Sequence, residues 1–207
     1  MNYGLWLENK IRELERENKI PRLLIQCCCA PCSSAVWEYL TKHFDITAYY
    51  YNPNISPESE YEARAGELIR LAKELPSKNK IEAVIAPYDT APFDKIALGK
   101  EDMPEGGARC YECYKIRLEE TARMAKDGGY DYFCTTLSVS PYKKADWLNK
   151  LGEELSEKYG VPYLFSDFKK KNGYRRSCDL SREYGLYRQA FCGCEYSRKE
   201  AEKAGRL

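Results

Sequence analysis

The sequence predicts a three-layer α/β fold built on a mostly parallel sheet, and three observations carry that expectation. Short apolar runs rich in β-branched and aromatic residues alternate with longer segments of helical periodicity. The connections between successive runs are long enough to hold a helix, which parallel neighbours need and hairpins do not. Finally, the chemically suggestive residues Cys27 to Cys32, Asp89, Cys134 to Thr136 and Asp167 follow the ends of those runs. Open parallel sheets bind their ligands at the carboxyl ends of their strands.

A chain of 207 residues buries one substantial core, so residues 1–207 read as a single α/β domain. Leu7, Ile11 and Leu14 recur at helical spacing between charges and predict an N-terminal helix over about 5–17 that covers one face of the core. Residues 22–27 read as a buried strand, 33–41 as a helix and 46–51 as a strand. A long helix over 57–75 opens at a proline, and 81–86 is a third strand. Residues 87–109 carry Pro87, Pro92, Pro104 and the pair Gly106–Gly107, and read as a mostly irregular excursion. A helix over 111–126 ends at Gly128 and Gly129, and 130–135 is a strand. Trp147, Leu148, Leu151 and Leu155 share one face of a helix over 143–159, and 162–165 is a last short strand. Beyond Asp167 the periodicity fades, leaving a cysteine-containing C-terminal extension over about 168–207.

The 33 basic residues nearly cancel the 32 acidic ones, for a formal charge of +1. Any contact with nucleic acid must therefore come from a local basic patch. The first twenty residues are broken by charge every few positions, which excludes the apolar core of a signal peptide or a membrane span. A cytoplasmic protein with no membrane partner is expected. In the reducing cytosol ten cysteines do not make a disulfide framework, so clustered ones read as metal ligands or redox catalysts.

Cys28, Cys29 and Cys32 fall in the turn between the first strand and its helix, where backbone N–H groups and the helix dipole favour thiolates. Cys110 and Cys113 form a second close pair at the start of another helix. Two such groups brought together supply the four thiolates that a [4Fe–4S] cluster or a structural zinc requires, and spacing alone does not choose between them. Cys29-Ala30-Pro31-Cys32 also follows a strand and opens a helix, as thioredoxin-like redox motifs do, but that reading leaves Cys28, Cys110 and Cys113 without a role. Cys134, inside a strand, reads as a small core hydrophobe, and for Cys27 that reading and membership of the cluster stand side by side. In Cys192-Gly193-Cys194 a disulfide closes a very small, strained ring that is easily reduced. That suits a catalytic couple, with metal ligation as the competing reading.

Several motifs in one order carry a resemblance that spans nearly the whole chain. They are Cys28-Cys29-Ala30-Pro31-Cys32-Ser33, Arg109-Cys110 with Cys113-Tyr114 and Arg117-Leu118, and Phe133 through Thr135-Thr136-Leu137 to Ser140-Pro141-Tyr142-Lys143. Further along come Asp167-Phe168-Lys169-Lys170, Gly173-Tyr174, Ser177, Leu180-Ser181, Tyr187-Arg188-Gln189 and Cys192-Gly193-Cys194-Glu195-Tyr196-Ser197. With these motifs the chain resembles the QueH family of epoxyqueuosine reductases. The resemblance implies reduction of epoxyqueuosine to queuosine at the wobble position of transfer RNA, with a [4Fe–4S] cluster. It implies further that Cys28, Cys29, Cys110 and Cys113 hold the cluster and that Cys192 and Cys194 form a redox-active pair. Cys27 departs from the family's motif, where serine is commoner. Cys32 belongs to the motif without an assigned role, and with Asp89 it is a candidate ligand of a second metal, an iron ion. The expected sheet is Rossmann-like, of the nucleotide alpha-hydrolase-like kind. ATP use is not expected, because cysteines stand where such domains place a phosphate-cradling Ser-Gly-Gly-x-Asp-Ser loop.

Removing an epoxide oxygen to leave an alkene and water takes two electrons and two protons, whereas a [4Fe–4S] cluster passes one electron at a time. A dithiol at Cys192 and Cys194 is the expected second store, an unidentified donor supplies the electrons, and Asp89 or a nearby tyrosine is the candidate proton donor. The expected partner is transfer RNA carrying epoxyqueuosine. Lys169, Lys170, Lys171, Tyr174, Arg175 and Arg176 form a candidate backbone grip with one stacking ring, and Lys143 with Lys144 a second patch. Two other classes fit the cysteines, a zinc-stabilised RNA-binding module without catalysis and a thiol–disulfide oxidoreductase. Iron and acid-labile sulfide separate them.

Overall fold

The apolar runs pair as expected, and all of them in parallel. The computed structural model describes residues 1–207. Its sheet comprises β1 (Arg22–Gln26), β2 (Asp45–Tyr50), β3 (Ile81–Ile85) and β4 (Tyr132–Thr135) in the order β3-β2-β1-β4. The central strands are buried almost throughout because helices cover both faces, which is why they read as apolar runs rather than as alternating patterns.

The chain winds outward from β1 through α2 (Ala30–Leu40) to β2, then through α3 (Glu58–Glu74) to β3. It then returns through α4 (Ala91–Ala97) and α5 (Ala108–Asp127) to place β4 on the other side of β1. Helix α2 packs on α3 and on α7 (Gly173–Glu183), while α5 packs on β1, β4 and α6 (Ala145–Tyr159). The reversal of winding at β1 makes its carboxyl end a topological switch point, where connections diverge and leave a crevice. Register aligns the strand ends there, with Gln26 paired to Tyr49 on one side and Thr135 on the other. The buried Gln26 side chain ties them together, donating to the carbonyls of Cys27 and Tyr51 and accepting from Thr135 Oγ1 at 2.9 Å. Helix α1 (Tyr3–Arg16), capped by Asn2, buries Leu7, Ile11 and Leu14 as its periodicity predicts.

Six elements differ from expectation. Helix α4 lies inside the stretch that reads as irregular, because Pro92 occupies the first turn, where a missing N–H costs nothing. Helices α2 and α5 both start about three residues earlier than their patterns indicate, so Cys32, Cys110 and Cys113 all stand in helical turns. Residues 162–165 make only an isolated parallel bridge, Phe133 to Tyr163, since Pro162 has no N–H to continue a ladder. Beyond Asp167 the chain forms α7 and α8 (Glu195–Lys203). Their buried faces are Ser177, Leu180 and Ser181 on α7 and Ser197 and Ala201 on α8, and with Leu180 the one large apolar residue among them they leave little hydrophobic periodicity to read.

One close approach fixes a residue by size. A Cβ at Gly152 in α6 would collide with the ring of buried Tyr163. Gly152→Ala is therefore expected to destabilise the protein by about 1–3 kcal/mol, the usual cost of overpacking. A thermal melt with an unchanged midpoint would count against this packing.

Candidate active site

The site grows from the end of β1. The backbone of Cys27 continues the ladder, its N–H donating to Tyr49 O at 2.9 Å, and its side chain is fully buried. Burial pushes that thiol up to about 12, so Cys27 behaves as a core side chain rather than a thiolate. The next residues turn into α2, with Cys29 at its N-cap and Cys32 in its first turn. The sulfurs of Cys28, Cys29 and Cys32 all lie within 4.8 Å of one another, and those of Cys28 and Cys29 are 3.7 Å apart. Hydrogen bonds from the Cys29 and Cys32 thiols, aided by Arg117 and Arg64, hold Cys28 well below the ordinary thiol range. The contact with Cys28 pushes Cys29 and Cys32 up.

Cys110 and Cys113 are one turn apart on α5 and share a face. Gly106 N–H donates to Cys110 Sγ at 3.3 Å, and burial pushes Cys113 up to about 12. They line a small cavity together with Cys192 and Cys194. A wider cleft is lined by Cys28, Cys29 and Cys32, and Cys192 and Glu105 wall both spaces. Cysteines from three distant stretches of chain thus converge at the switch point, in two groups that share a wall.

The loop bearing Cys192 and Cys194 is fastened from α3. Arg64, buried and paired with Glu60 at 2.7 Å, donates to Cys192 O at 3.0 Å, while Ser56 N–H donates to Gly193 O. Gly193 has φ +123°, and a Cβ there would meet Ile55 at 2.9 Å and Arg64 at 3.1 Å, so glycine is required on both grounds. Cys194 caps α8 and is buried, its sulfur accepting from Ser197 N–H at 3.4 Å.

Between the two cysteine groups lies Arg117, only 1% exposed. Its Nη2 donates to Asn52 Oδ1 at 2.6 Å, but its Nε has no partner and no carboxylate pairs with it. Burial works against this charge, and the nearby sulfurs of Cys113, Cys28 and Cys192 favour it. A buried cation surrounded by cysteine sulfurs and no carboxylate fits an anionic metal–thiolate centre. Arg117 falls seven residues after Cys110 and four after Cys113, a helical spacing that puts all three on one face of α5 and is readable in the sequence.

Two expectations are corrected. Asp89 lines neither space and does not join Cys32: it is exposed, and its Oδ1 accepts from Ala91 N–H at 2.9 Å. The reason is α4, which starts two residues later at Ala91 and whose first backbone N–H holds the carboxylate. Lys143 is no surface patch: it is 8% exposed, its Nζ 2.9 Å from Glu105 and 3.2 Å from Cys192 Sγ in the cleft wall. Lys144 remains exposed, its ammonium 3.9 Å from the centre of the Trp147 ring. Of the basic run, Lys169, Lys171 and Arg176 pair with Asp167, Glu8 and Glu38. Lys170 and Arg175 stay exposed and unpaired, and Tyr174 turns toward the cleft from the first turn of α7. The cleft rim also holds residues to which the sequence reading assigned no role, namely Tyr142, which is 76% exposed, Arg188 and Arg206.

Residues 23–200 match the family model described as epoxyqueuosine reductase QueH. The chain belongs to the QueH family. It is 40% identical over 201 residues to the epoxyqueuosine reductase QueH of Streptococcus pyogenes serotype M1, covering 96% of this chain and 79% of that one. Against the Staphylococcus epidermidis QueH the identity is again 40%, over 95% of this chain and 84% of its relative. The Thermotoga maritima QueH is 36% identical over 184 residues, 86% of this chain and 91% of that protein. The fold is shared with a predicted subunit of tRNA methyltransferase from Methanocaldococcus jannaschii, at a TM-score of 0.52 and 13% identity over 89% of this chain and 90% of that one. No helix of this QueH chain is long and apolar enough to cross a membrane.

Proposed function

We propose that this chain is an oxidoreductase that reduces epoxyqueuosine in transfer RNA to queuosine, with a [4Fe–4S] cluster held by Cys28, Cys29, Cys110 and Cys113. The observation that carries the reading is the convergence of the cysteine groups around the buried, carboxylate-free Arg117 at the end of β1. Cysteine thiolates are the usual ligands of such clusters, and a cation of this kind offsets their charge. When bound, the cluster supplies electrons singly.

The chain's own residues supply the rest. Cys192 and Cys194, as a dithiol closing to a disulfide, release the two electrons and two protons that turn an epoxide into an alkene and water. Arg64 holds their loop against α3, and Cys192 reaches the cleft where substrate enters. Proton delivery falls to the cleft wall, since Asp89 does not face it.

Tyr142 and Tyr174 offer ring faces at the rim, with Arg188 and the unpaired Lys170 and Arg175 nearby in chain for phosphates. Tyr142→Ala is expected to raise KM for the transfer RNA about tenfold, the worth of one stacked base, with little change in kcat. Steady-state kinetics check this, and a fall in kcat at constant KM would contradict it.

The function itself is tested by anaerobic turnover of the iron- and sulfide-reconstituted protein with a strong reductant and epoxyqueuosine-containing transfer RNA, reading digested nucleosides by mass spectrometry. Queuosine is expected. Its absence from protein that holds its cluster would overturn the substrate, and purified protein containing zinc without iron or sulfide would favour a structural RNA-binding module.

A further inference from the structure

The two sulfurs of Cys192-Gly193-Cys194 stand in unequal surroundings. Cys194 is 7% exposed, faces only the inner cavity and is engaged by the amide and hydroxyl of Ser197. Cys192 is less buried, lines the cleft as well, and lies 3.2 Å from the ammonium of Lys143. That ammonium is itself buried, and Glu105 Oε1 at 2.9 Å fixes its direction. Lys143 N–H donates to Ser140 O in the turn after β4, and α6 begins at Ala145, so the side chain leaves a rigid corner of the fold. An ammonium at hydrogen-bond distance, itself held by a carboxylate, fixes where the Cys192 sulfur points. No comparable cation touches Cys194.

We propose that Lys143 is a positioning residue that holds Cys192 Sγ toward the cleft, making Cys192 the sulfur of the pair through which thiol–disulfide exchange enters and Cys194 the resolving one. The inference rests on the redox-pair reading of these cysteines and assigns their roles within it. It also states how a dithiol reductant reopens the disulfide. One donor sulfur attacks Cys192 Sγ, the Cys192–Cys194 bond breaks, and Cys194 leaves and takes a proton. The donor's second sulfur then displaces Cys192 Sγ, which returns to its place beside Lys143. The donor ends as its own disulfide, and the two electrons and two protons it gives up restore the Cys192–Cys194 dithiol.

The test is site-resolved alkylation of the reduced, cluster-loaded protein by iodoacetamide at neutral pH, followed by peptide mass spectrometry. Cys192 is expected to react at least about tenfold faster than Cys194, and Lys143→Met to slow Cys192 by about tenfold while Lys143→Arg restores it. Equal rates for the two cysteines in the unaltered protein, or a Cys192 rate indifferent to Lys143→Met, would overturn the proposal. Should Lys143→Met not fold, the comparison of Cys192 with Cys194 and the Lys143→Arg protein decide the matter. Intact mass after mild oxidation separates this proposal from the reading beneath it. If no Cys192–Cys194 disulfide forms while Cys192 still depends on Lys143, the redox pair fails and the positioning of Cys192 by Lys143 stands.

Discussion

Protein carrying Cys110→Ala is expected to fold normally yet hold no [4Fe–4S] cluster and form queuosine at least about a hundredfold more slowly, a loss beyond that of a supporting residue near a metal. Alanine is the best helix former, and Cys110 lies in the first turns of α5 and is only half-buried, so losing its sulfur costs the fold little. Iron and sulfide analysis, visible absorption and a thermal melt of the same preparation separate loss of the centre from loss of structure. The pattern across the cysteines is sharper than any single result. Alanine at Cys28, Cys29 or Cys113 is expected to match Cys110→Ala, whereas serine at Cys192 or Cys194 leaves iron and sulfide in place. The opposite pattern, with iron lost on changing Cys192 or Cys194 but kept on changing Cys28 or Cys29, would move the centre into the inner cavity. Four sulfurs, those of Cys110, Cys113, Cys192 and Cys194, already surround that space.

The second large effect is expected at Arg117. Its charge is fully buried, satisfied on one side by Asn52 and otherwise compensated only by cysteine sulfurs. With the anionic centre in place the guanidinium is half of a buried ion pair, and removing one half of such a pair costs about 3–5 kcal/mol. Without the centre it is an unpaired buried charge, and its loss costs far less. Arg117→Met should therefore remove most of the thermal stabilisation that the cluster confers while changing the melt of cluster-free protein little. The retained cluster should also be harder to reduce, because a nearby positive charge favours the more negative state. Equal melting shifts with and without cluster, or an unchanged reduction potential, would show that Arg117 only packs.

The helical face joining Cys110, Cys113 and Arg117 marks how far a sequence reaches. Spacing within one element is a local property, so the cysteine groups, the strands before them and the amphipathic α1 were all legible. Elements whose buried faces are mostly serine and alanine are not, which is why α7 and α8 escape a reading of periodicity, and with them the rim of the cleft. Asp89 illustrates a different blindness. A carboxylate after a strand reads as a ligand until the helix that claims it is known, and that helix was hidden behind a proline usually taken as a breaker.

What the sequence by itself determined is the fold class, the family and the identity of the cysteine motifs, because periodicity and motif order survive without coordinates. What only the tertiary structure decided is which charges meet. Lys143 looks like a solvated lysine in a basic pair, yet the corner after β4 drives it inward to Glu105 and Cys192. Arg117 lacks a carboxylate only because the surfaces packed around α5 offer none. Desolvation and pairing depend on neighbours tens of residues away, and the sign and worth of a buried charge are set by those neighbours rather than by the residue that bears it.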